Sequence, residues 1–309
     1  MAKIDKIEEL QNLLKEDQNN HQARRQLAVL LTDCGFSQEA LKNLLYLSKT
    51  KEADSEIFYN LGIVYEKLKN LQKAKENYEK AIRLDSNAID AIYNLGLVCT
   101  DLGEYKTAIK CFKKVISTDN KDSNSYFNLG LAYFKMKDYP EALEYFQKTI
   151  DLNDDDIYAH FYLGNILKDF GDNQAARDEF NKVLKISPDY SWAYFNLAAL
   201  DYEEGDIGSA LDNLSQTLEL NPADIEAYKI YVKILVKDGE YDEAEEVITQ
   251  ALENCKNNGD LYYIAGKISQ CKNDNEHYRA CLQSALKNFK TLSVPIPLIK
   301  TELSNIKID

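Results

Sequence analysis

Residues 55–88, SEIFYNLGIVYEKLKNLQKAKENYEKAIRLDSNA, align without a gap with residues 89–122, IDAIYNLGLVCTDLGEYKTAIKCFKKVISTDNKD. Both segments carry Leu-Gly at their seventh and eighth positions and alanine at their twentieth. The Leu-Gly pair recurs every 34 residues, at 61–62, 95–96, 129–130 and 163–164. Because the same register extends from residue 21 to residue 292, the sequence contains eight consecutive repeats, which indicates a repeat architecture.

Five positions of the repeat carry the residue types that a pair of packed helices requires. Position 8 is small in seven repeats and position 20 is alanine in seven, so two antiparallel helices can approach closely. Position 24 is always large and apolar, and position 28 is isoleucine or leucine from the second repeat on, as expected for helix faces. Glycine occupies position 15 in five repeats, where a helix can end in a left-handed residue. These glycines are Gly35, Gly103, Gly171, Gly205 and Gly239.

This pattern resembles the tetratricopeptide repeat (TPR) family. The resemblance covers residues 21–292 and implies an all-α, right-handed superhelical solenoid of antiparallel helix pairs. The expected repeats are 21–54, 55–88, 89–122, 123–156, 157–190, 191–224, 225–258 and 259–292.

Both ends of the chain carry an apolar helical stripe. A solenoid exposes apolar surface at its ends, so we predict capping helices at residues 1–20 and 293–309. The alternative is that one stripe docks a partner or drives dimerisation. The stripes consist of Ile4, Ile7, Leu10, Leu13 and Leu14, and of Ile296, Ile299, Leu303 and Ile306.

Composition restricts the partners and the compartment. Lys plus Arg is 37 and Asp plus Glu is 51, so the net charge is −14, and such a chain repels the phosphate backbone of nucleic acid. No apolar run approaches the roughly 20 residues of a membrane helix, so we expect no membrane insertion. The six cysteines form no C-x-x-C pair and favour a reduced, cytoplasmic protein.

Catalytic and metal-binding patterns are missing from the sequence. It has no phosphate-binding glycine loop, no dinucleotide-binding motif and no nucleophile elbow. Cys271, His277 and Cys281 match no zinc-ligand spacing. The acidic runs 119–122 and 151–156 lack the central Gly and terminal Glu of an EF-hand, so we interpret them as turns and helix caps. We therefore predict a protein that is not an enzyme and needs no cofactor or metal.

The resemblance also implies a ligand site, because in TPR proteins the first helices line a concave groove that usually binds extended peptides. Here position 5 forms an aromatic series beside an asparagine series at position 6. Asparagine amides can pair with a peptide backbone, and the rings offer flat apolar area. We expect the amides of Asn94 and Asn128 to face solvent in the free protein. The alternative is that Tyr-Asn-Leu-Gly is merely the family's average sequence. The predicted contacts are Tyr59, Asn60, Tyr93, Asn94, Phe127, Asn128, Phe161, Asn165, Phe195 and Asn196.

Three lysines extend this predicted site towards the C-terminus. Lys229, Lys233 and Lys267 occupy positions 5, 9 and 9 of the last two repeats, and Lys237 lies near them at position 13. They could hold an acidic side chain or a terminal carboxylate. A solvated face is the alternative, because Glu226 and Asp260 lie close by in the sequence.

The carboxylate clamp of chaperone-tail receptors, a TPR subfamily, is matched only in part. Asn165 and Asn196 fit that pattern, but Phe161 stands where its first lysine should be, and Glu226 and Ile230 replace its basic pair. We therefore disfavour a receptor for chaperone tails.

The prediction for function is a protein–protein interaction scaffold or adaptor. Its partners would be extended peptide segments with apolar side chains and an acidic end. Two alternatives stay open: a structural subunit of a larger assembly that uses its edges and end caps, and a regulatory, substrate-presenting partner of a separately encoded transferase.

Overall fold

The computed structural model describes residues 2–306, and within them all regular secondary structure is helical. The predicted all-α helical repeat solenoid is confirmed. Residue 1 of the predicted N-terminal cap and residues 307–309 of the predicted C-terminal cap lie outside the described part of the chain.

Each repeat contributes two successive helices. The first helices are α2 (His21–Asp33), α4 (Ser55–Lys67), α6 (Ile89–Asp101), α8 (Ser123–Lys135), α10 (Ile157–Asp169), α12 (Ser191–Glu204), α14 (Ile225–Asp238) and α16 (Gly259–Cys271). The second helices are α3 (Ser37–Leu47), α5 (Leu71–Leu84), α7 (Tyr105–Thr118), α9 (Tyr139–Leu152), α11 (Asn173–Ile186), α13 (Ile207–Leu220), α15 (Tyr241–Asn254) and α17 (Asn275–Lys287). A short 3-10 turn (Phe289–Thr291) lies at the end of the eighth repeat, and α1 (Ala2–Glu16) and α18 (Ile296–Asn305) lie outside the repeats.

Acidic and amide side chains between the helices act as caps and turns. Asp54 accepts a hydrogen bond from the N–H of Ile57 at 3.0 Å, which satisfies a donor that has no partner within α4. In the acidic runs, Asp119 accepts from the N–H of Lys121 and Asp156 accepts from the N–H of Ala159, both at 2.9 Å. The interpretation of these runs as turns and caps is confirmed.

A residue with positive φ follows the first helix of every repeat, at position 15. The five glycines predicted there have φ between 75° and 87°. The remaining three repeats place side-chain-bearing residues in the same conformation, which costs a lysine about 1–2 kcal/mol. The turn between the two helices therefore requires this conformation even where glycine is absent. These three residues are Lys69, Lys137 and Asn273, with φ of 59°, 61° and 61°.

The helices of a pair approach closely because position 8 and position 24 are matched in size. A Cβ added to Gly96 would lie 2.7 Å from the ring of Phe112, and one added to Gly164 would lie 2.8 Å from the ring of Phe180. Four repeats combine glycine with an aromatic ring, whereas two combine alanine with leucine. The glycine pairs are Gly62–Tyr78, Gly96–Phe112, Gly130–Phe146 and Gly164–Phe180, and the alanine pairs are Ala28–Leu44 and Ala198–Leu214.

The chain divides into two compact bodies, Met1–Ala159 and His160–Asp309. In the N-terminal body a continuous apolar core extends from α1 to α8. Ile7 and Leu10 of α1 are buried and Leu14 is partly buried, whereas Ile4 and Leu13 are exposed. Helix α1 thus contacts α2 through a stripe narrower than its apolar sequence suggests.

The C-terminal body ends in α18, which is shorter than the helix predicted over 293–309. Pro295 precedes the helix, and Ile296, at its first position, is exposed. Ile299 is fully buried against Tyr278 and Leu282 of α17. Tyr278 stands where most repeats have alanine, so this departure from the repeat provides apolar surface for α18.

Candidate functional site

Aromatic rings at position 5 lie half-buried on the first helices of the N-terminal body. Each ring packs against the large ring at position 24 of its own repeat. The centroid distances are 5.9 Å for Tyr59–Tyr78, 5.8 Å for Tyr93–Phe112 and 5.7 Å for Phe127–Phe146. One side of each position-5 ring therefore contributes to the core and holds the ring in place, while the rest of its surface stays accessible.

The asparagines beside these rings use their amide donors inside the protein. Asn128 Nδ2 donates to the hydroxyl of Tyr93 at 3.0 Å and to the carbonyl oxygen of Asn124 at 2.8 Å. Asn94 Nδ2 donates to the hydroxyl of Tyr78 at 3.5 Å. Asn94 and Asn128, like Asn60 at the same repeat position, are half-buried rather than fully turned to solvent. The group that Asn128 offers to a ligand is consequently its carboxamide oxygen.

The hydroxyl of Tyr93 stays protonated at neutral pH. Burial raises its pKa, and the nearby charge of Asp122 raises it further, against the opposing hydrogen bond from Asn128. Tyr93 therefore links the first helices α6 and α8 as a neutral acceptor of the Asn128 amide.

In the C-terminal body Phe161 and Asn165 lie one turn apart on α10. The ring of Phe161 contacts the rings of Phe180 and Tyr190, with centroid distances of 6.1 Å and 5.3 Å. Asn165 Nδ2 donates to the carbonyl oxygen of Phe161 at 2.9 Å. Both side chains are half-buried, so they combine packing with a partly accessible surface.

Asn196 is placed differently from the other predicted ligand contacts. It is only 5% exposed, donates to the carbonyl oxygen of Trp192 at 2.8 Å and accepts a hydrogen bond from Lys168. Burial lowers the pKa of Lys168, against the opposing influence of the nearby charges of Asp169 and Glu203. Asn196 is therefore buried, and its side chain links α10 to α12.

Trp192 is a candidate ligand contact that the sequence reasoning missed. It is the only tryptophan of the chain, is 51% exposed and meets the half-buried ring of Phe195 edge-on at 6.1 Å. Position 2, where it lies, is polar in six of the eight repeats and aromatic only at Tyr158 and Trp192. That contrast between repeats was a signal available in the sequence.

The three lysines predicted near the C-terminus line a single cavity of about 370 Å³ in the C-terminal body. Apolar side chains of α14 and α16 line it between the lysines, and the segment 293–294 completes the wall. We call this cavity the C-terminal pocket. Its lining consists of Lys229, Val232, Lys233, Val236, Asp260, Tyr263, Ile264, Lys267, Ile268, Ser293 and Val294.

Two of the three lysines are already neutralised by carboxylates. Lys229 Nζ lies 2.9 Å from Glu226 and 3.2 Å from Asp260, and Lys267 Nζ lies 2.9 Å from Glu302 of α18. Burial lowers the pKa of Lys229, but its hydrogen bonds to Glu226 and Asp260 outweigh burial and raise the pKa overall. These two lysines stay charged and are engaged within the protein.

Lys233 is the exposed cation of the C-terminal pocket. Its Nζ lies 5.9 Å from the centroid of the Tyr202 ring, and Lys237, one turn further along α14, lies 5.5 Å from the same centroid. No carboxylate among residues 2–306 lies within 4 Å of Lys233 Nζ. Its charge is therefore available to a ligand.

The segment after the last repeat is tied to α16 and α17 by two carboxylates. Asp260 accepts from the N–H and the hydroxyl of Ser293 at 2.6 and 2.9 Å. Glu302 accepts from the hydroxyls of Tyr263 and Tyr278 at 3.2 and 2.9 Å, in addition to its ion pair with Lys267. The wall of the pocket is consequently held by specific polar contacts, not by apolar contact alone.

The cysteine and histidine residues near the C-terminus do not form a group. Cys271 and His277 are exposed, whereas Cys281 is buried, and burial raises the pKa of the Cys281 thiol to about 11. Among the described residues, no three side chains of the metal-binding types lie together. Within the same residues, no helix combines the length and apolar character needed to cross a membrane.

The repeated helix pairs and their half-exposed first-helix side chains define a class, the helical-repeat proteins that bind other proteins. The chain belongs to the tetratricopeptide repeat family. Models described as "Tetratricopeptide repeat" match residues 55–88, 123–156, 157–190 and 201–267, and one described as "TPR repeat" matches residues 96–137. TPR proteins bind protein or peptide partners, and the chain is accordingly a protein-interaction scaffold.

Solved structures of other TPR proteins share the fold. MamA (residues 41 to the end) from Desulfovibrio magneticus RS-1 is 27% identical, with a TM-score of 0.53 over 56% of this chain and 97% of that one. The C-terminal part of a TPR repeat-containing protein from Cytophaga hutchinsonii is 21% identical, with a TM-score of 0.62 over 74% and 94%. YrrB, described as a TPR protein with an unusual peptide-binding site, is 24% identical, with a TM-score of 0.51 over 60% and 96%. No curated protein matches the sequence.

Proposed function

We propose that this protein is an adaptor that binds extended peptide segments of its partners on the accessible side of its first helices. The proposal gives the chain no catalytic role and no cofactor or metal. The six free cysteines suit the reducing cytoplasm, where we propose that the adaptor acts.

The observation that carries the proposal is the series of supported rings Tyr59, Tyr93 and Phe127. Each is held from behind by a second-helix ring at 5.7 to 5.9 Å and presents the rest of its surface to solvent. A ring that is already fixed loses little conformational freedom when a ligand covers it, which favours binding. Apolar side chains of an extended peptide would pack on these rings.

The asparagine beside each ring adds a polar contact. Both amide donors of Asn128 are used within the protein, so we assign it the role of accepting a hydrogen bond from a peptide N–H through Oδ1. Backbone N–H groups occur in every peptide, so this contact would not depend on the sequence of the partner. In the C-terminal body, Trp192 and Phe195 would provide a second apolar contact area.

The test uses a bead library of nine-residue peptides, acetylated and amidated, with alternating aliphatic and polar randomised positions. Phe127→Ala should reduce the amount of peptide retained by about tenfold, because a ring that a ligand covers contributes on the order of 1.4 kcal/mol or more. Phe36→Ala is the control, since Phe36 is an exposed phenylalanine of the same N-terminal body but lies at the start of a second helix. Thermal melting of each variant restricts the comparison to temperatures at which all are folded.

Equal retention by wild type and Phe127→Ala would contradict the proposal. If binding instead disappears when the chain is cut after residue 292 and the shortened protein still melts cooperatively, the binding surface is the C-terminal cap. That outcome would favour the structural subunit that uses its end caps.

A further inference from the structure

The C-terminal pocket combines an apolar floor with three lysines, two of which form ion pairs with carboxylates of the protein. This floor is lined by Val232 and Val236 of α14 and by Ile264 and Ile268 of α16. Glu226 and Asp260 form ion pairs with Lys229, and Glu302 forms one with Lys267, with Nζ to carboxylate oxygen distances of 2.9 to 3.2 Å. Among the described residues, Lys233 is therefore the one lysine of the three whose ammonium group has no carboxylate partner.

From this arrangement we infer that the C-terminal pocket selects a peptide segment in which an aliphatic side chain is followed by a single acidic side chain, whose carboxylate binds Lys233. The inference rests on the proposed peptide-binding function and adds to it the charge specificity of one subsite.

The position of Lys233 favours an acidic side chain over a chain terminus. Lys233 is exposed at the rim, whereas the apolar residues line the floor. Neighbouring side chains of an extended segment point to opposite sides. An aliphatic side chain directed into the floor therefore leaves the carboxylate of the next residue directed away from the floor, towards the rim.

The fixed carboxylates also limit the ligand to one negative charge at this point. Asp260 is held by Ser293 as well as by Lys229, and Glu302 is held by two tyrosine hydroxyls as well as by Lys267. Neither carboxylate can leave without breaking several hydrogen bonds. A second ligand carboxylate would thus meet like charge instead of a free cation.

The experiment compares bead libraries of acetylated and amidated nine-residue peptides that differ only at the central position, which is glutamate or glutamine. Wild type should retain the glutamate library about tenfold better, as expected for one charge-assisted hydrogen bond, and the preference should shrink at high salt. Lys233→Gln should abolish the preference. Lys237→Gln should keep it, because Lys237 approaches the same Tyr202 ring but does not line the pocket.

The outcomes separate this inference from the proposed function. Equal retention of both libraries by wild type would overturn the role of Lys233 and leave peptide binding intact. Retention of neither library would overturn both proposals. A preference that appears only for a third library, with central glutamine and a free terminal carboxylate, would overturn the assignment to a side chain.

The Glu302→Gln variant tests the inference in the opposite direction, because it should bind a doubly acidic peptide better than wild type does. This variant keeps the shape of the side chain but frees the charge of Lys267. A library with two glutamates separated by one residue should then be retained severalfold better than by wild type, at temperatures at which both proteins are folded. Unchanged retention would contradict the role of Glu302 in restricting the pocket to one carboxylate.

Discussion

Gly130 lies directly against the ring of Phe146, so that a Cβ at residue 130 would be 2.9 Å from the ring atom Cδ1. Phe146 is fully buried, so its ring cannot move aside into solvent. We expect Gly130→Ala to lower the free energy of unfolding by about 1–3 kcal/mol, because the added methyl group overpacks the crossing of α8 and α9. Urea unfolding measures the change.

The same relationship predicts a rescue. Two other repeats combine alanine at position 8 with leucine at position 24, so Gly130→Ala with Phe146→Leu should be more stable than the sum of the single variants predicts. Gly208→Ala is the control, since a Cβ there would meet only Asp206, at 3.8 Å. Strict additivity of the two substitutions would show that Gly130 and Phe146 do not constrain one another.

Lys137 adopts the left-handed conformation that five other repeats assign to glycine. Lys137→Gly should therefore raise the stability by up to about 1 kcal/mol, because relief of the left-handed strain exceeds the entropy that glycine loses on folding. The melting temperature reports the change. Lys148→Gly, on the exposed side of α9, should instead lower the stability by about 1 kcal/mol. Destabilisation by both variants would show that Lys137 has a role besides its backbone conformation.

Asn196 and Asn60 occupy the same repeat position but should respond differently to substitution. Asn196→Ala removes the acceptor of Lys168 and should lower the free energy of unfolding by about 1–3 kcal/mol. Asn60→Ala, at a half-buried site, should change it far less. Replacing both hydrogen-bonding partners, with Asn196→Leu and Lys168→Met, should recover part of the loss, because no ammonium group is then left without a partner. Equal effects of the two alanine substitutions in urea unfolding would contradict the buried role of Asn196.

Glu302 should make the stability of the C-terminal body depend on pH. Burial raises the pKa of its carboxyl, but the hydrogen bonds from Lys267 and Tyr278 outweigh burial and lower the pKa below its ordinary value. A carboxylate with a lowered pKa contributes stability above its ordinary pKa, and the contribution is lost as the pH falls through the folded-state pKa.

The measurement is a series of melting curves between pH 7 and pH 3. Wild type should be more stable than Glu302→Gln at neutral pH, and the difference should decrease towards zero in acid. Glu253→Gln, at an exposed site on α15, is the control and should show no such convergence. A difference between wild type and Glu302→Gln that is independent of pH would contradict the ion pair with Lys267.

The repeating sequence was sufficient to predict the helices and their close packing. Residues within each repeat determine its helix pair. Small side chains let the two helices cross closely, and the positive φ at position 15 makes the turn between them. Even Lys69, Lys137 and Asn273, which break the glycine pattern, adopt its conformation because the neighbouring helices impose the same turn. Local spacing suffices here because each pair packs mainly with itself and with its neighbours in sequence.

The surroundings of the candidate site residues were predicted only in part, because equivalent repeat positions have different neighbours. Asn128 and Asn196 share position 6, yet one is half-buried beside Tyr93 and the other is buried beside Lys168. The sequence shows the shared position. Which side chain reaches the amide depends on the adjoining helix, whose polar residues do not follow the repeat.

Which lysine of the C-terminal pocket has no carboxylate partner among the described residues was decided largely by tertiary structure. The sequence places Glu226 one helical turn before Lys229, but only the structure shows that Asp260 also pairs with Lys229 and that Glu302 pairs with Lys267. Glu302 lies outside the repeats, 35 residues after Lys267, on a helix whose position depends on burial of Ile299. Repeat spacing determines which face a side chain occupies, whereas its electrostatic partner is determined by the packing of segments that the repeat does not include.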